Sequence, residues 1–301
     1  MAKTVSLVLG SGGARGLAHI GVIRWLTENG YEIRSVAGSS MGALVGGIYA
    51  AGKLDVYAEW VMALERMQVL RLLDPTFGRP GLIKGERIIS VLRELIGEFR
   101  IEDLPISFTA VATDLETGAE IWLRQGRLFD AIRASIATPL VFTPFKLGGR
   151  TLLDGGLVNP VPVAPTLNDS TELTVAVDLS GRPEPEPPTE APSEPIREEN
   201  VYTRRIRAWV ESLQGSMRSS DSKAAEPKAV PEPSTGLFDV AMASMDTMQS
   251  TIARLKLAAY APNVMIEIPR NACGYIEYWR AEEMIALGRE RTQRAFDAEG
   301  L

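Results

Sequence analysis

The chain has 301 residues, 45% of them hydrophobic, which is enough for one large α/β domain or two small ones with a sizeable core. Its formal net charge of −6 argues against a general nucleic-acid-binding protein, because neutralising phosphates requires a basic surface. The single cysteine, Cys273, excludes a disulfide framework within the chain and supplies no metal-binding cluster.

Predicted strands and helices alternate along much of the chain. Residues 5–9 form an apolar run too short for a signal sequence, and we predict a first strand there. Further strands are predicted at 33–38, 106–113, 119–124, 173–179 and 263–268, and helices at 17–29, 41–51, 86–97 and 281–296. This alternation predicts a mostly parallel sheet with helices on both faces. No run approaches the roughly 20 apolar residues of a membrane span, so we expect a cytoplasmic protein that can touch membranes.

A glycine loop, Gly10-Ser11-Gly12-Gly13-Ala14-Arg15-Gly16, follows the first predicted strand. Glycines let backbone N–H groups converge on one point, and the next helix adds its positive end, so the loop suits an oxyanion or a phosphate. Its spacing departs from a dinucleotide site, and it lacks the Gly-Lys-Ser/Thr of a P-loop. Arg15 is expected to stiffen the loop; contact with an anionic head group is the alternative.

A second motif, Gly38-Ser39-Ser40-Met41-Gly42, lies where a predicted strand passes into a helix. Small residues at its ends permit a tight turn that exposes the hydroxyl of Ser40, as a nucleophile requires. Serine needs a base within hydrogen-bond reach. The only histidine, His19, lies on a different predicted helix, where we expect a packed residue, so a Ser-His-Asp triad is hard to assemble.

The base is therefore sought among the aspartates at apparent strand ends, Asp114, Asp154 and Asp178. Asp154 is preferred because it follows an apolar run and precedes Gly155 and Gly156, which allow close approach to another loop. Asp114 and Asp178 are expected to cap or form turns.

Composition changes at Gly181, after which proline and glutamate dominate. We predict that 181–235 is an exposed, mobile insertion within a single domain of residues 1–301. Apolar residues inside it are spaced as on a short amphipathic helix, at about 200–214, which we expect to dock on the main body or to act as a lid or membrane-surface helix. Met242, Met245 and Met248 predict a second apolar face, packed against the core or a partner subunit.

Together and in this order, the glycine loop, the serine turn and Asp154-Gly155-Gly156 resemble the three signatures of patatin-like phospholipases, particularly the small bacterial members. The strings at 112–118, 131–135 and 157–162 are similar too, and the resemblance covers roughly residues 5–180, with weaker similarity in 260–291. Near Thr138 the chain departs from the family's small apolar residues, with no expected effect on chemistry. The resemblance implies a three-layer α/β/α fold with a mostly parallel central sheet.

The resemblance also implies a Ser-Asp dyad. Ser40 would be the nucleophile and Asp154 its base, while the N–H groups of Gly12 and Gly13 would form an oxyanion hole supported by Arg15. The implied enzyme is a lipid acyl hydrolase of the phospholipase A or lysophospholipase type, which cleaves a phospholipid or another acyl ester through an acyl-serine intermediate, without metal or cofactor.

Three alternatives remain open. A soluble carboxylesterase or thioesterase would use the same residues, a regulatory protein would bind lipid without turnover, and a nucleotide-binding protein would use residues 10–16 for phosphates. Peripheral membrane contact through 200–214 and a homo-oligomer are the remaining expectations about partners.

Overall fold

The computed structural model describes residues 2–72, 83–185 and 237–301, and within these ranges the residues up to Glu184 and from Phe238 form one compact unit. Apart from its first five residues, the expected insertion at 181–235, with its helix at 200–214, lies outside the described residues. Gly181 still belongs to a strand and pairs with Pro269, so the sheet extends one residue beyond the composition boundary.

Strands and helices alternate as predicted. The strands are β1 (Thr4–Leu9), β2 (Glu32–Ser39), β3 (Ser107–Asp114), β4 (Glu120–Leu123), β5 (Phe145–Leu147), β6 (Arg150–Asp154), β7 (Leu173–Gly181) and β8 (Val264–Pro269). The helices are α1 (Ala18–Glu28), α2 (Met41–Ala50), α3 (Leu54–Met62), α4 (Arg66–Leu72), α5 (Glu86–Ile96), α6 (Leu128–Ser135), α7 (Leu237–Ala259) and α8 (Ala281–Glu299). Every strand and helix that was predicted within the described residues is present. β5, α3, α4 and α6 were not predicted, and of β6 only its end at Asp154 was.

All these strands form one mixed sheet. β3, β2, β1, β7 and β8 are neighbours in that order and run parallel, while β4 and β6 pair antiparallel with β3, and β5 pairs antiparallel with β6. Leu7 and Leu9 face the main core, which includes α1 and α2, whereas Val8 between them packs with Ala253 of α7. Helices therefore cover both faces, and the predicted architecture is confirmed.

β2 and β6 lie end to end along one edge of β3. Val111 pairs with both β2 and β4, so these two strands flank β3 on opposite edges. Ala112 pairs with both β4 and β6, so β6 is also opposite β4 and continues the edge that β2 occupies. Ser39, the last residue of β2, is opposite Val111, and Asp154, the last residue of β6, is opposite Ala112. The two strand ends therefore meet.

α7 buries part of the face predicted from its methionines. Met242 and Met245 are buried as expected, but Met248 is 58% exposed, so the prediction is wrong for Met248. The buried face continues instead through Gln249 and Ala253, which follow Met245 at successive helical turns. Within the described ranges, no helix is both long enough and apolar enough to cross a bilayer.

Candidate active site

β2 passes into α2 through a strained turn at Ser40. Ser40 has a φ of 54°, in the left-handed region that favours glycine. A Cβ at Gly38 would lie 2.3 Å from the carbonyl carbon of Gly42, and a Cβ at Gly42 would lie 2.0 Å from the carbonyl oxygen of Leu9. Glycine is therefore required at both ends of the turn, as the motif predicted.

The turn brings Ser40 into contact with Asp154. The hydroxyl of Ser40 donates a hydrogen bond of 2.6 Å to Asp154 Oδ2, and both side chains are buried. Ser135, the last residue of α6, links the end of β2 to β3. Its hydroxyl accepts from the N–H of Ser40 at 2.9 Å and donates to the carbonyl of Val111 at 2.6 Å. The contact thus follows from the shared edge of β3.

The other two strand-end aspartates lie elsewhere. Asp114 accepts from the N–H of Thr117 at 3.1 Å in the turn between β3 and β4, and it pairs with Arg150 at 3.0 Å. Asp178 accepts from the N–H of Ser180 at 2.8 Å. Asp114 makes the turn contact expected of it. Asp178 lies inside β7, which continues to Gly181, and its contact with Ser180 falls at an irregularity in the pairing with β8, so the prediction of a strand-end turn is wrong for Asp178.

Three donors hold the carboxylate of Asp154. The N–H of Gly156 lies 2.7 Å from Oδ1, while the hydroxyls of Ser40 and Thr138 each lie 2.6 Å from Oδ2. Burial raises the pKa of Asp154 because the charged form loses hydration, and the three hydrogen bonds oppose that rise. In its ionised form this carboxylate can accept the proton of Ser40.

Thr138 and Tyr275 are residues of this site that the sequence did not reveal. Thr138 lies in the string where no effect on chemistry was expected, yet its hydroxyl donates to Asp154. The phenol oxygen of Tyr275 lies 3.0 Å from the hydroxyl of Thr138. The departure at Thr138 was a signal in the sequence, whereas nothing near Tyr275 marks it.

The glycine loop presents two backbone N–H groups. Gly13 has a φ of 58°, and a Cβ there would lie 2.6 Å from the carbonyl oxygen of Tyr275. No oxygen in the described ranges accepts a hydrogen bond from the N–H of Gly12 or Gly13. Gly13 and Ser40 line the same pocket. The loop therefore offers donors for a charge that develops on a substrate bound at Ser40.

Arg15 is buried and all three of its side-chain nitrogens bind protein oxygens. Nε donates to the carbonyl of Gly12 at 3.1 Å, and Nη1 donates to that of Arg270 at 2.6 Å. Nη2 pairs with Asp246 at 3.1 Å. Because these donors are occupied, the contacts favour support of the glycine loop over contact with a head group.

The lone histidine lies outside the site. His19 is fully buried, and because a carbonyl only accepts, its Nε2 donates to the carbonyl of Gly10 at 2.9 Å. Burial lowers the pKa of His19 from 6.5 to about 4, so the ring is neutral at neutral pH. This is the packed helix residue that was expected.

Cys273 has no thiolate character. It is buried and unpaired, and burial raises the pKa of its thiol to about 11. In the part of the chain that the structure describes, no three His, Cys, Asp or Glu side chains cluster as ligands for a metal ion.

Ser40 lines an apolar pocket. The pocket encloses about 1020 Å³ of empty space, part of it continuous with solvent. Besides Ser40, Gly13 and Thr138, its walls are mainly aliphatic and aromatic side chains from α2, α3, α5 and the segments after α6 and β8, among them Leu44, Trp60, Val61, Leu92 and Phe142. Such a surface suits an acyl chain better than a charged group.

α7 binds the glycine loop and β4. Its Asp246 pairs with Arg15 of the glycine loop. Its Lys256 donates to Glu120 at 2.6 Å, and Glu120 also accepts from the side chain of Asn159 at 2.8 Å. The carbonyl of Asn159 in turn accepts from the hydroxyl of Ser39 at 2.7 Å. The helix therefore reaches the serine turn through a short network.

Comparison with known proteins finds a matching family model and several similar proteins. The family model for patatin-like phospholipases matches residues 7–167. An uncharacterized NTE family protein of Mycobacterium tuberculosis is 40% identical over 332 aligned positions, which cover 98% of this chain and 91% of the relative. A protein of Kluyveromyces lactis named lysophospholipase is 33% identical over 185 positions, covering 59% of this chain and 13% of that protein. Among solved structures, VipD from Legionella pneumophila matches with a TM-score of 0.45 and 14% identity, over 99% of this chain and 67% of that chain.

Proposed function

Since the chain belongs to the patatin-like phospholipase family, we propose that it is a lipid acyl hydrolase in which Ser40 and Asp154 form the catalytic dyad. The observation that carries this proposal is the buried hydrogen bond of 2.6 Å between Ser40 and Asp154, beside an apolar pocket that Ser40 lines. A serine whose proton is already directed at a carboxylate has its base in place.

The first half of the reaction is acyl transfer to the enzyme. Ser40 Oγ attacks the ester carbonyl carbon while its proton passes to Asp154 Oδ2. The carbonyl oxygen becomes negatively charged, and the N–H groups of Gly12 and Gly13 stabilise it. When the carbon–oxygen bond to the leaving alcohol breaks, Asp154 returns the proton to that oxygen. The products are the free alcohol and acyl-Ser40.

The second half uses water in place of the serine. Asp154 takes a proton from the water, whose oxygen attacks the acyl carbon of acyl-Ser40. The same N–H groups of Gly12 and Gly13 stabilise the second oxyanion. As the acyl–oxygen bond breaks, the proton returns to Ser40 Oγ, which releases the fatty acid and restores the enzyme.

The pocket supports a long acyl chain on the substrate, and a phospholipid or lysophospholipid has one. A soluble carboxylesterase or thioesterase would use the same dyad on short or polar esters, for which the long apolar wall is not needed. Residues 200–214, for which the sequence predicts an amphipathic helix, are proposed to contact the lipid surface, and a homo-oligomer is proposed as the assembly.

Active-site labelling combined with substrate comparison tests the proposal. A fluorophosphonate probe should label the wild-type chain and Ser180→Ala, a control in β7 whose hydroxyl donates to Asp178, but not Ser40→Ala. Hydrolysis of micellar lysophospholipid should exceed that of a short acyl ester. Wild-type esterase activity in Ser40→Ala would disprove the dyad, and a preference for short esters would favour the carboxylesterase.

A further inference from the structure

Two hydroxyl groups form a chain that ends on the carboxylate of Asp154. Thr138 Oγ1 lies 2.6 Å from Asp154 Oδ2, and Tyr275 Oη lies 3.0 Å from Thr138 Oγ1. Thr138 is buried, Tyr275 is partly buried, and both line the same pocket as Ser40. Tyr275 lies outside the residues that the family model matches.

The direction of these hydrogen bonds follows from the number of protons. Thr138 has one hydroxyl proton, and an ionised carboxylate can only accept, so Thr138 donates to Asp154. The carbonyl of Ile136 is a weaker competitor for that proton, because it lies at 3.4 Å. Tyr275 is then the donor to Thr138. Burial raises the pKa of Tyr275, so its phenol keeps the proton that it donates.

Thr138 acts on the same carboxylate oxygen as the nucleophile. Its hydroxyl and that of Ser40 both donate to Oδ2, while Gly156 donates to Oδ1. These contacts fix which oxygen faces Ser40. A donated hydrogen bond also favours the charged carboxylate and so opposes the effect of burial.

Tyr275 also contacts the glycine loop. Its backbone carbonyl accepts from the N–H of Ala14 at 2.9 Å, and a Cβ at Gly13 would lie 2.6 Å from that carbonyl. One residue therefore contacts both the loop that would bind the oxyanion and the hydroxyl that binds the base.

We propose that Thr138 and Tyr275 are positioning residues for the base: Tyr275 donates to Thr138, and Thr138 holds Asp154 Oδ2 ionised and directed at Ser40. The inference rests on the proposed Ser-Asp dyad. Both hydroxyls keep their protons throughout the cycle, so no bond forms or breaks along the chain.

Two other groups near these hydroxyls titrate in the acid range, and both are the same in every variant below. They are His19, whose pKa is lowered by burial, and Glu277, whose pKa is lowered by hydrogen bonds from the N–H of Gly274 and from Arg280. Tyr278 and Cys273 come from the same segment as Tyr275, and burial raises the pKa of both, so they stay neutral. Arg15 pairs with Asp246. His19 binds Gly10 and is the same in every variant below.

The test is the pH dependence of kcat/KM on p-nitrophenyl butyrate, followed at the isosbestic wavelength of nitrophenol, for the full chain and three variants. Thr138→Val removes the hydroxyl and should move the acid midpoint upward by about one pH unit, with roughly a tenfold lower plateau. Thr138→Ser keeps the hydroxyl and should restore the wild-type midpoint. Tyr275→Phe should shift the midpoint the same way by less.

The hydroxyls of Tyr275 and Thr138 act in series only if the effect of Tyr275 on the acid midpoint requires the hydroxyl of Thr138. In the Thr138→Val background, Tyr275→Phe should therefore add no further shift. A lower plateau with an unmoved midpoint in both Thr138→Val and Tyr275→Phe would overturn the inference, as would a shift that Thr138→Ser does not reverse. If Thr138→Val does not fold, the shift in Tyr275→Phe decides.

These outcomes are separate from failure of the dyad. If Ser40→Ala kept its activity on the same ester, the proposed function would be wrong. If Ser40→Ala were inactive and the midpoint did not move in the Thr138 and Tyr275 variants, only the positioning role would be wrong.

Discussion

Ser39 and Asp154 end two different strands that meet on one edge of β3, opposite the consecutive residues Val111 and Ala112. The residue after Ser39 therefore starts its turn beside the carboxylate. The proximity of the proposed nucleophile and base is thus a property of strand pairing, which the core of the sheet enforces, and not of two flexible loops.

Ser40 and Asp154 are expected to act as a unit. Ser40→Ala and Asp154→Asn should each reduce kcat by roughly 10³-fold or more, and the double variant should lose little beyond either single one. Steady-state kinetics on one ester measures all three. Asp178→Asn is the matched control, because among the described hydrogen bonds this aspartate of β7 accepts only from Ser180, and the variant should keep wild-type activity. If the loss of kcat in the double variant equalled the product of the two single losses, the residues would not act as a dyad.

His19 is expected to make the fold acid-sensitive. Its pKa is lowered to about 4 in the folded chain, so between pH 6.5 and 4 the unfolded chain binds a proton that the folded chain does not. Stability is therefore complete above pH 6.5 and falls as the pH drops, by about 3 kcal/mol in total. Urea unfolding at pH 7 and pH 4 measures this loss.

His19→Gln isolates that contribution, because the chain has no other histidine. Asp154 acts in the opposite direction, since its raised pKa makes the folded chain bind a proton first as the pH falls, but it is present in both chains. The difference between wild type and variant should shrink at pH 4. An equal difference at both pH values would show that His19 is not the source.

The ion pair between Arg15 and Asp246 is expected to position the glycine loop. Asp246→Asn leaves the buried guanidinium without its carboxylate, and misplacing the oxyanion donors should lower kcat by roughly tenfold with a smaller change in KM. The control is Asp55, which forms a similar ion pair with Arg24 but has a side chain that is 82% exposed. Asp55→Asn should therefore leave kcat and KM unchanged. If Asp246→Asn and Asp55→Asn had the same kcat and KM, Asp246 would have no role in positioning the glycine loop.

The pocket is expected to set the preference for acyl-chain length. Val61 of α3 lines the pocket, so Val61→Phe should lower activity on long-chain esters several-fold more than on acetyl esters. Val56 is exposed on the same helix and is not a lining residue, so Val56→Phe should leave the chain-length profile unchanged. Melting temperatures of both variants check their folding. An unchanged profile in Val61→Phe would place the acyl chain elsewhere.

The local parts of the site could be predicted because backbone geometry restricts the residues there. Gly38 and Gly42 are fixed by atoms within 2.4 Å of any added Cβ, so the turn has a recognisable sequence. The same holds for the glycine loop. Helices and longer strands were predicted from periodicity, whereas β5 has only three residues, too few for a periodic signal.

The long-range parts of the site left no signal in the sequence. Asp246 lies 231 residues from Arg15, and Tyr275 lies 137 residues from Thr138. An aspartate on a helix or a tyrosine in a loop has many ordinary roles, and only the folded chain selects among them. Met248 shows the converse: its spacing fitted an apolar face, but the helix turns that side chain outward.

Two residues in contact each raise the free energy of the folded chain: Ser40 through its strained backbone and Asp154 through its buried charge. A non-glycine residue at such a φ costs about 1–3 kcal/mol, and a carboxylate is dehydrated beside it without a cationic partner among the described ion pairs. Neither term is needed for the fold, which α1, α2 and the sheet hold together. The chain thus concentrates its trade-off between stability and reactivity at one strand end, and a folded, inactive protein is the natural result of losing either side chain.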